Sequence, residues 1–310
     1  MKKKVIYEIK SLYRDNFRET GYEFGEGEES VCIVGNTRGN EIQQIYVCSQ
    51  IVNRFKRLEE EGKIREGHKI LVIPSINPYS VNIQKRFWPT DNTDINRMFP
   101  GYHLGETTQR IAAGVFENIK NYKYGMQFTS FYMPGKFTPH VRMMKTGFED
   151  VELAKKFGMP YIILRNTRPY DTTTLNYNWQ IWETNAFSIY TTATNVIDKA
   201  SANMAIRSVL TFLNKEDIVD YHSHDGYISE VVDDRDMISV RTKKAGIFEG
   251  IVNVGDEVIK GQPLANIIAL YEGHIVETLE APEDSIVFFA HDEPITYANT
   301  AVYKLIQREK

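Results

Sequence analysis

Sixteen residues, Arg86 to Gly101, read RFWPTDNTDINRMFPG and hold two arginines, two aspartates, two asparagines, a tryptophan and two prolines. Arg86 and Arg97 carry planar forks that match carboxylates. Proline fixes φ, so the stretch reads as a stiff loop. The chemistry open to it is anion recognition: holding a carboxylate, or stabilising charge that develops on an oxygen. The same residues could also form plain ion pairs, Arg86 and Arg97 with Asp91 and Asp94, and composition leaves both readings open. Position keeps the ligand reading level with the structural one. The apolar run Ile70-Leu-Val-Ile-Pro-Ser-Ile76 just before the loop reads as a buried strand, and loops at strand ends are where α/β proteins place their ligands.

The elements that must carry this loop follow from periodicity. Lys4 to Lys10 reads as an edge strand and Val31–Val34 as a buried one, ending in the turn Gly35-Asn-Thr-Arg-Gly-Asn40. A helix follows, with Ile42, Ile45, Val52 and Phe55 on one face and Gly62 as its stop. Cys48 falls on that face and reads as a buried thiol. Gly105–Tyr122 is helical and Tyr124–Phe131 a strand; residues 133–140 are loop, 149–157 a short helix and 160–165 a strand. Residues 168–182, rich in Tyr, Trp, Asn and Thr, read as loop and pocket wall, with Tyr177, Trp179 and Trp182 as wall or core. A strand over 187–191 and a helix over 197–213 complete a layered α/β pattern. Beyond residue 216 helical periodicity stops, and short alternating runs with turn signals indicate an all-β unit. The expected division is 1–216 and 217–310.

Of the 310 residues, 42% are hydrophobic and 25% charged, and the net charge is -4. That describes a globular protein and gives no reason to expect nucleic acid or an anionic membrane as partner. The basic start MKKKVIYEIK lacks the apolar run of a signal peptide. Two cysteines make no disulfide scaffold, so cytoplasm is the expected compartment. The oligomeric state stays open, a homo-oligomer included.

Four pieces, taken in order, resemble one family. They are Gly35-Asn-Thr-Arg-Gly-Asn-Glu41; Ile73-Pro-Ser-Ile-Asn-Pro78; Arg86 followed by Asp94-Ile-Asn-Arg-Met-Phe-Pro-Gly101; and the C-terminal Ala245-Gly-Ile-Phe248 with Val254-Gly-Asp-Glu-Val-Ile-Lys-Gly261. The chain resembles the succinylglutamate desuccinylase/aspartoacylase family, the zinc carboxypeptidase-like deacylases. The resemblance implies a mixed sheet flanked by helices plus a small C-terminal all-β barrel-sandwich domain. It also implies zinc as cofactor and a small carboxylate or N-acyl amino acid as ligand. In that family His and Glu of a Gly-x-x-His-Gly-x-Glu motif and a later His hold zinc, whose water is the nucleophile. A Glu takes that water's proton, an arginine stabilises the oxyanion, and an Asn–Arg pair holds the substrate carboxylate.

Carried over residue by residue, the resemblance assigns Arg86 to the oxyanion, Asn96 and Arg97 to the carboxylate, and Glu41 to the metal. Three positions depart. Arg38 stands where the first His belongs, Thr129 where the second belongs, and Tyr190 where the catalytic Glu belongs. A guanidinium has no lone pair for a metal and puts charge where the cation would sit. Arg38 is therefore expected to pair with Glu41 and to add to the ligand-binding charge, with zinc absent or weakly held. Tyr190 could donate a proton or a hydrogen bond. An alternative metal site is Tyr221-His-Ser-His-Asp225, through His222 and His224, against a linker whose histidines face water. His140 is expected to be structural, Arg142 and Arg165 to add anion-binding charge or form ion pairs, and His68, His103, His274 and His291 to lie on the surface. A biotinyl or lipoyl carrier role is excluded, because the hairpin Ala269–His274 has no lysine.

Overall fold

The structure, a computed structural model, describes residues 1–12, 15–131, 133–222, 224 and 226–308. Two compact units divide it: Met1–Ser130 with Pro139–Val231, and Phe131–Thr138 with Val232–Lys310. Among the described residues the first unit contains β1 (Lys2–Ile9), β2 (Phe17–Phe24), β3 (Gly27–Asn36), α1 (Ile42–Glu60), β4 (Gly67–Ser75), α2 (Pro78–Asn82), α3 (Thr107–Ile119) and β5 (Tyr124–Phe128). After a strand that belongs to the second unit, β6 (Lys136–Phe137), come β7 (His140–Lys145), α4 (Val151–Lys155), β8 (Tyr161–Asn166), α5 (Leu175–Ile181), β9 (Asn185–Tyr190), α6 (Lys199–Lys215) and β10 (Glu230–Asp233).

The large sheet runs in the order β1-β2-β4-β3-β5-β9-β7-β8-β10. Its centre, β4-β3-β5-β9, is parallel. Strands buried on both faces read as unbroken apolar runs, and alternate residues serve opposite faces. Val31 and Ile33 of β3 join Val47, Ile51 and Phe55 of α1 and Val209 and Phe212 of α6. Cys32 and Val34 join Ile111 and Val115 of α3 and Trp179 of α5. Because the four central strands run the same way, their C-terminal ends meet at one edge. The loops after β3 and β4, residues 129–130 and Tyr190 all lie there.

Several expectations need correction. The α1 stripe is Val47, Cys48, Ile51, Phe55 and Leu58, with Ile42, Ile45 and Val52 only half-buried. Residues 168–182 contain α5 rather than loop alone. Thr174 caps it by accepting the Tyr177 N–H at 3.4 Å, and Trp179 is buried with Nε1 donating to Ile119 O at 3.1 Å. The expected loop at 133–140 contains β6 and leads straight into β7. The first unit continues past the expected division at 216 to Val231, because Ile218 and Val219 are buried in its core.

In the second unit β11 (Ile238–Arg241), β13 (Glu257–Val258), β16 (Ser285–Ala290) and β18 (Ala301–Gln307) form one sheet in the order β11-β18-β16-β13, with β6 paired to β16. The other sheet is β15-β14-β12-β17, from β12 (Gly246–Gly250), β14 (Pro263–Ile268), β15 (Ile275–Glu280) and β17 (Ile295–Thr296). Phe248, Leu264, Val287 and Leu305 share one core, so this is the expected small all-β domain. Among the described residues no helix is long and apolar enough to cross a membrane.

Candidate functional site at the C-terminal edge of the parallel strands

The turn after β3 is held tightly. A Cβ on Gly39 would lie 2.2 Å from the Ser80 backbone, and one on Gly35 would lie 2.0 Å from Pro74 O. Only glycine permits so close an approach. Asn36 Nδ2 donates to Arg38 O at 2.7 Å, and Asn77 Nδ2 donates to Thr37 O at 3.3 Å. The turn thus delivers Arg38 and Glu41 to fixed positions just before α1.

Glu41 is fully buried. Its Oε2 accepts the Thr37 and Arg38 main-chain N–H groups at 2.9 and 3.0 Å. Its Oε1 accepts Ser130 Oγ at 2.7 Å and Arg38 Nη1 at 3.1 Å. The Arg38 guanidinium also donates through Nε to Asp94 Oδ2 at 2.9 Å, and Arg86 Nη2 reaches the same oxygen at 3.2 Å. Asp94 Oδ1 caps the short 3-10 helix Ile95–Arg97 by accepting the Asn96 N–H at 3.1 Å. The outcome is an alternating chain of charges, Glu41–Arg38–Asp94–Arg86. Burial opposes the charge on Arg38, yet Glu41 and Asp94 outweigh it and hold its pKa above the ordinary arginine value. Arg86 is shifted the other way, by burial and by the nearby Arg38 charge, with Asp94 only partly compensating.

Asn96 Oδ1 accepts from Gln127 Nε2 and from the Leu175 N–H, both at 3.2 Å, which orients the amide. Arg97 does not pair with Asp91 or Asp94. Its Nη1 donates to Tyr170 O at 3.0 Å and lies 3.8 Å from Asp171 Oδ1. Asp171 is shared with Arg165, 3.2 Å away. Tyr190, at the end of β9, stacks on His140 with ring centroids 4.6 Å apart, and the Arg142 guanidinium lies 4.8 Å from the Tyr190 ring centre. Tyr190 is thus a second cluster at the same sheet edge, linked electrostatically to Arg165.

Arg38 and Glu41 therefore meet directly and Arg86 joins them through Asp94, with Asn96 and Arg97 on the adjoining 3-10 turn. His222 and His224 do not join them. His222 is exposed beside Asp220 at 3.3 Å and lines a cavity with Leu58 and Glu61 at the C-terminal end of α1. That is about 25 Å along the helix from Glu41 at 1.5 Å per residue. Ser223 and Asp225 of the same cluster lie outside the described residues. His291 is buried, not on the surface, with Nδ1 3.2 Å from Pro134 O. Sequence reasoning missed Ser130 and Asp171 as site members. Thr129 acts through its main chain, donating N–H to Ile189 O at 3.2 Å and accepting Gln44 Nε2 at 3.3 Å. The side chain that reaches Glu41 is that of its neighbour Ser130, for which the sequence offered no signal beyond adjacency.

The donor set does not fit zinc. Both oxygens of Glu41 are already filled by N–H and O–H donors, and the guanidinium between Glu41 and Asp94 offers a positive charge and no lone pair. Among the described residues no group of three or more His, Cys, Asp or Glu is placed to hold a metal ion.

The fold has solved counterparts. An aspartoacylase family protein from Mesorhizobium loti is 20% identical with a TM-score of 0.77, over 96% of this chain and 91% of that one. A succinylglutamate desuccinylase/aspartoacylase from Rhodobacter sphaeroides is 18% identical with a TM-score of 0.79, over 95% and 91%. The product-bound ectoine utilization protein EutE from Ruegeria pomeroyi is 17% identical with a TM-score of 0.77, over 94% and 90%. None of the curated proteins matches the chain. Residues 28–214, which carry every residue of the Glu41–Arg38–Asp94–Arg86 series, match the succinylglutamate desuccinylase/aspartoacylase catalytic domain, and the chain belongs to that family.

Proposed function

We propose that this family member binds a small carboxylate of the N-acyl amino acid class at the sheet edge, with hydrolysis altered or absent. The observation that carries this reading is the buried Arg38 guanidinium, 3.1 Å from Glu41 and 2.9 Å from Asp94, which supplies fixed positive charge where the family places a cation. The carboxylate-recognising half is retained. Arg86 and Arg97 keep 25% and 31% of their side chains accessible, while the Asn96 amide is oriented through its oxygen. An incoming carboxylate would accept from these forks and from the Asn96 Nδ2 group. Tyr190 would serve as a hydrogen-bond donor and not in the role of a carboxylate base. The rival reading, a metal-dependent deacylase using Glu41, draws on family membership and requires Arg38 to leave both carboxylates.

Three measurements decide between them: metal content after purification without chelator, titration with a panel of N-acyl amino acids, and hydrolysis assays with and without added Zn²⁺. The proposal expects saturable carboxylate binding and no zinc-stimulated turnover. Arg97→Ala is expected to weaken binding by about tenfold or more. Stoichiometric zinc with zinc-dependent hydrolysis establishes the rival.

A further inference from the structure

A second group of arginines lies away from the sheet edge. Gln50, Asn53, Arg54 and Arg57 recur on one face of α1 at helical spacing, and Asn203 and Arg207 do the same on α6. The two helices pack on the same face of the sheet, through Ile51, Phe55, Ala202 and Ala205. Their outer faces border an open cavity of about 500 Å³ lined by these residues, with the half-buried Tyr221 and the buried Ile206. Arg54, Arg57 and Arg207 have no carboxylate within 4.0 Å among the described residues. Two acids line a neighbouring cavity with Arg54 and Arg57: Glu61, hydrogen-bonded to Lys63 at 2.7 Å and also within the field of Arg57 and Arg54, and Asp220, 3.3 Å from His222.

We propose that this groove is a binding site for a small organic phosphate carrying two or more phosphoryl groups. Arg54, Arg57 and Arg207 line one concavity, and among the described residues none has a carboxylate within 4.0 Å, so the complementary ligand is an anion of more than one charge. Gln50, Asn53 and Asn203 add side-chain amide donors around the same space, suited to the several oxygens of phosphoryl groups. The volume lies within the range of small-molecule sites. Tyr221 and Ile206 supply one apolar wall for the organic part. Arg54 and Arg57 lie about 20 Å or more along α1 from Glu41 at 1.5 Å per residue, so the groove is separate from the carboxylate site and does not depend on the function proposed for it.

Isothermal titration in magnesium-free buffer with pyrophosphate, ATP and citrate tests the assignment. Saturable binding of pyrophosphate or ATP, clearly tighter than citrate, is the expected result. Tighter binding of ATP than of pyrophosphate adds a contact to the apolar wall, whereas equal binding assigns recognition to the phosphoryl groups alone. Binding should weaken by about tenfold or more in an Arg54→Gln/Arg57→Gln/Arg207→Gln variant and persist in Arg97→Ala. All three arginines are exposed, so the triple variant is expected to fold, and Arg207→Lys, which keeps the charge and loses the fork, provides a milder check. Citrate binding as tightly as the phosphates, no binding at millimolar concentration, unchanged affinity in the triple variant, or loss of affinity in Arg97→Ala overturns the proposal.

Discussion

Arg38 and Arg207 are the same side chain in two dielectric settings. Arg38 is 3% exposed and touches two carboxylates; Arg207 is exposed on α6 and, among the described residues, touches none. A buried guanidinium without partners would cost several kcal/mol, so burial obliges the sequence to provide Glu41 and Asp94. A solvated guanidinium has no such obligation and can wait for an anion from solution. An ion pair inside the protein thus marks a position closed to ligands, and an unpaired fork on a concave surface marks one that is open. Arg86 and Arg97 lie between these extremes, each with one engaged edge and part of the side chain accessible.

Breaking the closed position should have the largest effect. Arg38→Ala leaves Glu41 as an uncompensated buried charge and Asp94 with Arg86 alone, and is expected to lower unfolding free energy by about 3–5 kcal/mol in urea denaturation. Added Zn²⁺ should raise the melting temperature of that variant more than that of the parent, since the guanidinium that stood between Glu41 and Asp94 is then gone. A loss below about 1 kcal/mol would mean that the carboxylates find other partners and that the alternating charge chain is not what holds the edge together.

Ser130→Ala removes one hydrogen bond to the buried Glu41 carboxylate and should cost about 1–3 kcal/mol. A loss that large also in an Arg38→Ala background would show that the two contacts act independently.

Glu19 extends the comparison to a buried carboxyl that, among the described residues, has no arginine partner. It is 2% exposed, its Oε1 accepts the Thr20 N–H at 3.3 Å, and burial pushes its pKa well above the carboxylate range. The folded state therefore holds the proton while the unfolded chain releases it near the ordinary value. Its contribution to stability is complete below that ordinary value and is lost as pH rises toward the raised one. Denaturation at pH 5 and pH 8 should show a smaller decline for Glu19→Gln than for the parent; parallel declines would place a partner beside Glu19.

The smallest effect belongs to the open arginines. Arg54→Gln should leave the melting temperature within about 1 °C of the parent in the absence of ligand. A drop of several degrees would mean that Arg54 is part of the packing between α1 and α6.

What was legible in the sequence follows the same division between local and long-range causes. The run Asp94 to Gly101 and the turn that carries Arg38 are local patterns, and the structure places both in connections between helices and strands of the first unit; the change to an all-β pattern is local too, though the second unit resumes at Val232 and not at 217. Ser130 and Asp171 were not legible, because their roles depend on strands and loops far apart in the chain meeting at one edge. The helix α5 escaped notice because in Leu-Asn-Tyr-Asn-Trp-Gln-Ile only Leu175 and Gln180 are strong helix formers. Its cap at Thr174 and the Trp179 anchor to Ile119 O supply what propensity does not. The strand β2 was missed for a related reason: it carries Gly21 in mid-strand, where a Cβ would meet Leu71 Cδ1 at 2.8 Å, so close packing and not β-propensity selected the residue.

Residues 131–138 interrupt the first unit and supply β6 to the second, pairing Phe137 with Phe289. The second unit is therefore encoded in two pieces separated by most of a hundred codons. Exchange of the C-terminal unit between relatives as one contiguous block would leave β16 without its own edge partner, and an insertion or deletion near residue 131 would fall next to Ser130 and its contact with Glu41. Inheritance of the β domain is thereby tied to inheritance of the site, and hybrids joined at a single crossover after Val231 would pair strands that had not evolved together.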